Sequence, residues 1–128
     1  MGHYLLSAEA RFSAAHTLPG VDMCERMHGH NWRVQVTVRV QQDDLDAAGM
    51  GVDFRMLATV ASESVHDFEH RYLNELEPFA ESPPTAETIA RVVCERVAAR
   101  LAAVAPAAEV VEVTLWEMPE YRVVYRPA

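Results

Sequence analysis

Trp32-Arg33-Val34-Gln35-Val36-Thr37-Val38-Arg39-Val40-Gln41 alternates apolar and polar side chains without a break. A period of two belongs to a strand with one face in a core and the other toward water, so this stretch is expected to be a half-buried antiparallel strand. Upstream, Tyr4, Leu6, Ala8, Ala10 and Phe12 alternate with Leu5, Ser7, Glu9 and Arg11, giving a first strand within residues 4–15. Downstream the period changes. Asp43, Asp44, Asp46, Gly49 and Gly51 form an acidic, glycine-bearing turn. Asp53 is then placed to cap a helix in which Phe54, Leu57, Ala58, Ala61 and Val65 recur at helical spacing, ending near His66. Pro78, Pro83 and Pro84 interrupt the chain, and Thr85 can cap a second helix with an apolar stripe of Ile89, Val93, Val97, Leu101 and Val104. On its outer side Glu87 is expected to pair with Arg91, and Pro106 stops it. Residues 109–116 and 121–126 close the chain as two β-rich runs about Pro119. The order ββ, α, α, ββ predicts an α+β fold with both helices on one face of the sheet.

A chain of 128 residues is long enough for one core and short for two, so residues 1–128 are expected to form a single domain. The segment after Met1 lacks the charged-then-apolar pattern of a signal peptide, and no apolar run approaches 18 residues, so a cytoplasmic address is expected and a membrane partner is not. Nineteen acidic against eleven basic residues give a formal charge of −8, which repels nucleic acid phosphates. All eleven bases are arginine, which excludes Schiff-base chemistry through lysine. Cys24 and Cys94 are expected to be free thiols, Cys94 as a small core hydrophobe.

The chemistry concentrates in Cys24-Glu25-Arg26-Met27-His28-Gly29-His30, which opens directly into the long strand. Residues two apart on an extended chain face the same way, so His28 and His30 can converge on one metal ion, and antiparallel pairing brings His16 beside them. Three imidazoles with an open fourth position describe a catalytic zinc site; the competing reading is of ordinary surface or core histidines. Cys24 is either a fourth ligand that closes the site or a thiolate poised for proton transfer. Glu69 and His70 are a possible proton relay or a solvated pair. Glu117, after an apolar run, is a carboxylate at a strand end, able to accept two hydrogen bonds from an amidine-like edge.

Phe12-Ser13-Ala14-Ala15-His16, Cys24-x3-His28-Gly29-His30, Val52-Asp53-Phe54, His70-x-Tyr72-Leu73-Asn74, Pro84-Thr85-Ala86-Glu87 and Trp116-Glu117 follow one another in order. This set resembles the 6-pyruvoyltetrahydropterin synthase superfamily, and the three residues between Cys24 and the His-Gly-His look most like its 6-carboxytetrahydropterin synthase branch, which feeds queuosine and other 7-deazapurine pathways. The resemblance implies a tunnelling fold, in which four-stranded antiparallel sheets join into a barrel and two trimers stack into a hexamer. It further implies zinc on His16, His28 and His30, Cys24 with Glu69 and His70 as the catalytic group, and Glu117 with Thr85 binding the pterin. Cys24 and His70 would come from different chains. The implied reaction converts 7,8-dihydroneopterin triphosphate to 6-carboxy-5,6,7,8-tetrahydropterin, releasing triphosphate and acetaldehyde; the alternatives are a pyruvoyltetrahydropterin synthase or related side-chain lyase and, more remotely, a non-catalytic zinc module. The chain departs from the family pattern at Glu69, usually aspartate, at Ala86, commonly serine or threonine, and at Met118, often threonine.

Overall fold

The computed structural model describes residues 1–20 and 26–128. Its elements are β1 (His3–His16), β2 (His28–Gln41), α1 (Phe54–Val65), β3 (Arg71–Tyr72), α2 (Ala86–Val104), β4 (Glu109–Met118) and β5 (Tyr121–Tyr125). One sheet runs in the order β3-β1-β2-β4-β5. The four long strands pair antiparallel, as the alternating patterns require. The fifth is an addition to the expected four: β3 is two residues long and pairs parallel with Ala14 and Ala15, so the sheet is mixed. Nothing periodic can mark so short a strand; it is held in place because its neighbours Phe68 and Leu73 are fully buried.

The register of β1 on β2 sets His3 opposite Gln41 and His16 opposite His28, and even-numbered residues of both strands therefore share a face. That face is the core. Val34, Val36, Val38 and Val40 have no exposed surface, each worth roughly 1.5–3 kcal/mol of burial. Phe12 stacks on Trp32 with ring centroids 5.8 Å apart and tilts against Phe68 at 5.4 Å. Leu57 and Val60 of α1, Ile89, Val93 and Val97 of α2, and Val113 and Leu115 of β4 complete the same apolar cluster. Cys94 sits within it as a free thiol whose pKa is pushed up by burial.

Both helices begin at their expected caps: the Asp53 carboxylate accepts the Arg55 N–H at 2.7 Å and Thr85 Oγ1 accepts the Thr88 N–H at 3.1 Å. In the acidic turn, Asp46 Oδ1 accepts from the Ala48 and Met50 amides while Gly49 takes a left-handed φ of 80°. Arg91 pairs forward with Glu95 at 3.1 Å in place of the expected pairing with Glu87, the two glutamates lying one turn to either side of it.

The turn leading to Glu69 and His70 is tied to α2 by Arg96. Its guanidinium makes two bonds to the Asp67 carboxylate, at 2.6 and 3.1 Å, donates to the Ser64 carbonyl at 3.1 Å, and lies 4.7 Å over the Phe68 ring. Removing it leaves a partly buried carbonyl and a carboxylate without their donor. Arg96→Ala is therefore expected to lower unfolding free energy by about 1–3 kcal/mol in urea denaturation, with Arg96→Lys recovering only part because an ammonium cannot replace the two-pronged contact. A loss under about 0.5 kcal/mol would reduce the network to an ordinary surface ion pair.

Candidate metal centre

The ladder that builds the core also gathers the histidines. His16 and His28 are the terminal pair of β1 and β2, and His30 stands opposite Ala14 one step in, so all three lie on the inner face at one end of the sheet. Their ring centroids are 4.4 Å apart for His16 and His28, 4.8 Å for His28 and His30, and 5.5 Å for His16 and His30. From β4, the inward series Val113 and Leu115 continues to Glu117. The β4–β5 register slips between Trp116 and Met118, leaving Glu117 as the extra residue of a bulge, a device that re-aims a side chain. One donor atom from each of His16, His28, His30 and Glu117 lies within 4.8 Å of all the others.

The hydrogen bonds around the rings decide where their lone pairs point. Carbonyls only accept, so His16 Nδ1, 2.8 Å from the Pro84 carbonyl, and His28 Nδ1, 2.8 Å from the Arg26 carbonyl, both carry protons. In the neutral rings this leaves Nε2 as the bare nitrogen, the orientation found where a metal-bound histidine is steadied by a second partner. His16 Nε2 and His30 Nε2 are buried without a hydrogen bond. Glu117 Oε1 lies 3.2 Å from His30 Nε2 and Oε2 lies 4.0 Å from His16 Nε2, contacts close enough for ion pairing that do not align as hydrogen bonds. Burial holds the pKa of His16 below its usual value, with His28 adding to the effect against the Pro84 hydrogen bond and Glu117. Burial likewise lowers His30, opposed by Glu117 and assisted by His28 and His16. Buried, neutral nitrogens converging without hydrogen-bond partners are a donor set that fits a metal ion.

The remaining expected site residues are placed as follows. Cys24 lies outside the described residues. Glu69 and His70 are not among the four donors; they sit at the outer edge of β1, where Glu69 Oε1 accepts the Ser13 N–H at 3.0 Å and lies 3.2 Å from His70 Nε2. His70 donates its backbone N–H to the Ser13 carbonyl at 2.7 Å and holds a φ of 58°, a conformation costly for a side chain with a Cβ and characteristic of functional positions. Its imidazole is 83% exposed. Thr85 caps α2 beside Pro84, and Ala86 and Glu87 line an open cavity of about 270 Å³ with Glu117, Tyr121, Arg122 and Val123.

Two side chains of the His70-x-Tyr72-Leu73-Asn74 stretch received no role from the sequence. Asn74 clamps both backbone groups of Thr17 at 2.9 Å, and Tyr72 Oη lies 2.8 Å from Thr17 Oγ1, so they lock the chain as it leaves His16. Their signal was their place in a quoted motif. A larger apolar cleft of about 670 Å³, lined by Tyr4, Leu5, Met50 and Phe54 among others, lies at the opposite end of β1 and holds none of these groups.

For the metal-free protein the lowered histidines set a pH dependence. Unfolded histidines titrate near 6.5, whereas folded His16 and His30 take up protons only at lower pH, so the unfolded chain binds more protons as pH falls through that value. Stability contributed by the neutral rings is full above about pH 6.5 and is lost on acidification below it. Thermal melts of chelator-treated protein should show the melting temperature falling from pH 7 to 5, with a smaller fall in His16→Asn; equal slopes would remove His16 from this account.

The sequence model of the 6-pyruvoyl tetrahydropterin synthase family matches residues 5–128. The 6-carboxy-5,6,7,8-tetrahydropterin synthase of Bacillus subtilis (strain 168) is 34% identical over 129 residues, covering 95% of this chain and 84% of that protein. A putative 6-carboxy-5,6,7,8-tetrahydropterin synthase of Archaeoglobus fulgidus is 35% identical over 100 residues, 77% of this chain and 76% of that one. The solved structure of Caenorhabditis elegans 6-pyruvoyl tetrahydropterin synthase superposes with a TM-score of 0.81 at 24% identity, over 100% of this chain and 98% of that one, which establishes the shared fold. No helix among the described residues is long and apolar enough to cross a membrane. With its fold, its sequence and its cluster of histidines in agreement, the chain belongs to the 6-pyruvoyl tetrahydropterin synthase family.

Proposed function

We propose that residues 1–128 act as one domain of a zinc-dependent 6-carboxy-5,6,7,8-tetrahydropterin synthase, converting 7,8-dihydroneopterin triphosphate to 6-carboxy-5,6,7,8-tetrahydropterin with release of triphosphate and acetaldehyde. The observation that carries this reading is the convergence of His16, His28 and His30 with bare Nε2 atoms on two of them fixed by carbonyls. The names of the two relatives at 34% and 35% identity support the choice of product. The resemblance drawn from the sequence motifs would place the product in queuosine or other 7-deazapurine synthesis, in the cytoplasm.

Zinc, when bound by the three histidines, supplies Lewis-acid polarisation of the substrate's side-chain hydroxyls. The protein's own groups do the rest. Cys24 and His70 exchange protons with the side chain of the pterin. Glu69, 3.2 Å from His70 Nε2, orients that imidazole. The longer glutamate still reaches both the Ser13 amide and His70, which supports its serving where the family pattern usually has aspartate. Glu117 and Thr85 bind the pterin, the carboxylate accepting from its amidine-like edge.

A homo-oligomer, a hexamer built as two trimers, is part of the proposal. Among the described residues most of β1 and all of β5 are unpaired on their outer sides, Leu5 of β1 and Tyr121 of β5 are 61% and 64% exposed, and Phe54 of α1, 63% exposed, lines a cleft with Leu5. An exposed His70 suits a site completed by the thiol of a neighbouring copy.

Zinc-loaded protein incubated with 7,8-dihydroneopterin triphosphate is expected to yield carboxytetrahydropterin and acetaldehyde by chromatography and mass spectrometry. Pyruvoyltetrahydropterin instead would transfer the chain to the sister activity, and no consumption would overturn the enzymatic reading. Cys24→Ala should keep its zinc and lose turnover by about 10²–10⁴-fold. Loss of zinc in that variant would make Cys24 a ligand, and full activity would remove it from catalysis.

A further inference from the structure

The face of the sheet turned away from the core and the histidines carries a row of cations. Arg11 stands opposite Arg33, Arg33 opposite Trp116, and Trp116 opposite Arg122. Paired residues on neighbouring strands project to the same side, so one row crosses β1, β2, β4 and β5. The Arg33 guanidinium lies 3.7 Å over the centroid of the Trp116 ring, which presents its face to the indole and leaves its edge to donate. Like charges directly opposite one another destabilise a sheet, yet Arg11 faces Arg33. Among the described residues Glu9 is the only carboxylate paired with the row; it lies 3.7 Å from Arg33 Nε, and that nitrogen still lacks a hydrogen bond. Arg11 and Arg122 are exposed and form no ion pair among the described residues, whereas Arg39, Arg91, Arg96, Arg100 and Arg126 each hold a carboxylate.

We propose that Arg11, Arg33 and Arg122 form a binding site for a condensed phosphate chain such as inorganic triphosphate. The chemistry follows from the residue type. A guanidinium offers two parallel N–H donors that match a pair of phosphate oxygens, and an anion between Arg11 and Arg33 removes the repulsion of their pairing. The length follows from the register. Strands lie about 4.7–4.9 Å apart, so the backbones of Arg11 and Arg122 are about 14 Å apart across four strands. A single oxyanion bridges neighbouring arginines only, whereas a linear polyanion can lie along the row and meet all three. The metal centre is on the other face of the sheet and lends no group to this site, so the proposal stands apart from the reading above.

The test is a calorimetric titration of the full zinc-loaded chain, freed of excess zinc, with inorganic triphosphate. Arg11→Gln and Arg122→Gln alter exposed side chains, and each should weaken binding at least about tenfold by removing a charge-assisted hydrogen bond. Arg33→Lys should also weaken it although the charge is kept, because an ammonium cannot replace the fork. Arg100→Gln removes the same charge from α2 and should bind as the natural protein does. Inorganic phosphate should bind at least about tenfold more weakly than triphosphate, lacking the reach to engage a second pair of donors. Natural protein that binds no triphosphate overturns the proposal. Undiminished binding in Arg11→Gln and Arg122→Gln places the anion elsewhere and overturns it, as does an equal loss in Arg100→Gln, which would reduce the effect to general charge attraction. Phosphate binding as tightly as triphosphate overturns the extended site.

Discussion

The register of β1 against β2 is the constraint on which the functional end of the molecule depends. Fourteen consecutive pairs run from His3 opposite Gln41 to His16 opposite His28. Because side chains alternate faces, a slip of one residue would turn the valines of β2 outward and carry His28 and His30 to the other side of the sheet. The Phe12–Trp32 stack, the four fully buried valines and the bond from Trp32 Nε1 to the Ala14 carbonyl at 3.2 Å all oppose that slip. Core packing and ligand placement are thus one energetic problem, solved by the same side chains.

Other segments then close on His16 from several directions. The Pro84 carbonyl arrives from the entry to α2, while Tyr72 of β3 and Asn74 in the turn after it grip the following residue. Glu69 and the strained His70 are pinned to Ser13 on the outer edge of the same strand. The last four residues of β1 therefore serve as a common anchor for groups that lie far apart in the chain. This explains why a two-residue strand is present at all: it fastens the Glu69–His70 turn to the strand that carries His16.

Elements with a long period were legible in the sequence, because burial of one face leaves its mark at every second or every third to fourth residue. β2, α1 and α2 are of this kind, as are the Asp53 and Thr85 caps. β3 was not legible, having no period to show. The three histidines could be grouped because two share a strand face and the third faces them across one pairing. The approach of Glu117 to them could not be, since it requires the β2–β4 register as well as the bulge at β5. Arg91 has a glutamate one turn away on either side, and periodicity cannot choose between them.

The stiffness of the β1–β2 ladder also bears on which cations the proposed centre would accept. Its rings are spaced by strand geometry, with centroids between 4.4 and 5.5 Å apart, and the carbonyls behind two of them leave little freedom to spread. Calcium takes six to eight oxygen ligands at 2.3–2.6 Å, and magnesium requires an octahedron of oxygens, so neither finds its shell among three nitrogens and one carboxylate. A small ion content with imidazole in a tetrahedron does. On the proposed reading, the alternation of valines along β2 would act, at this remove, as a filter on the ions the centre takes.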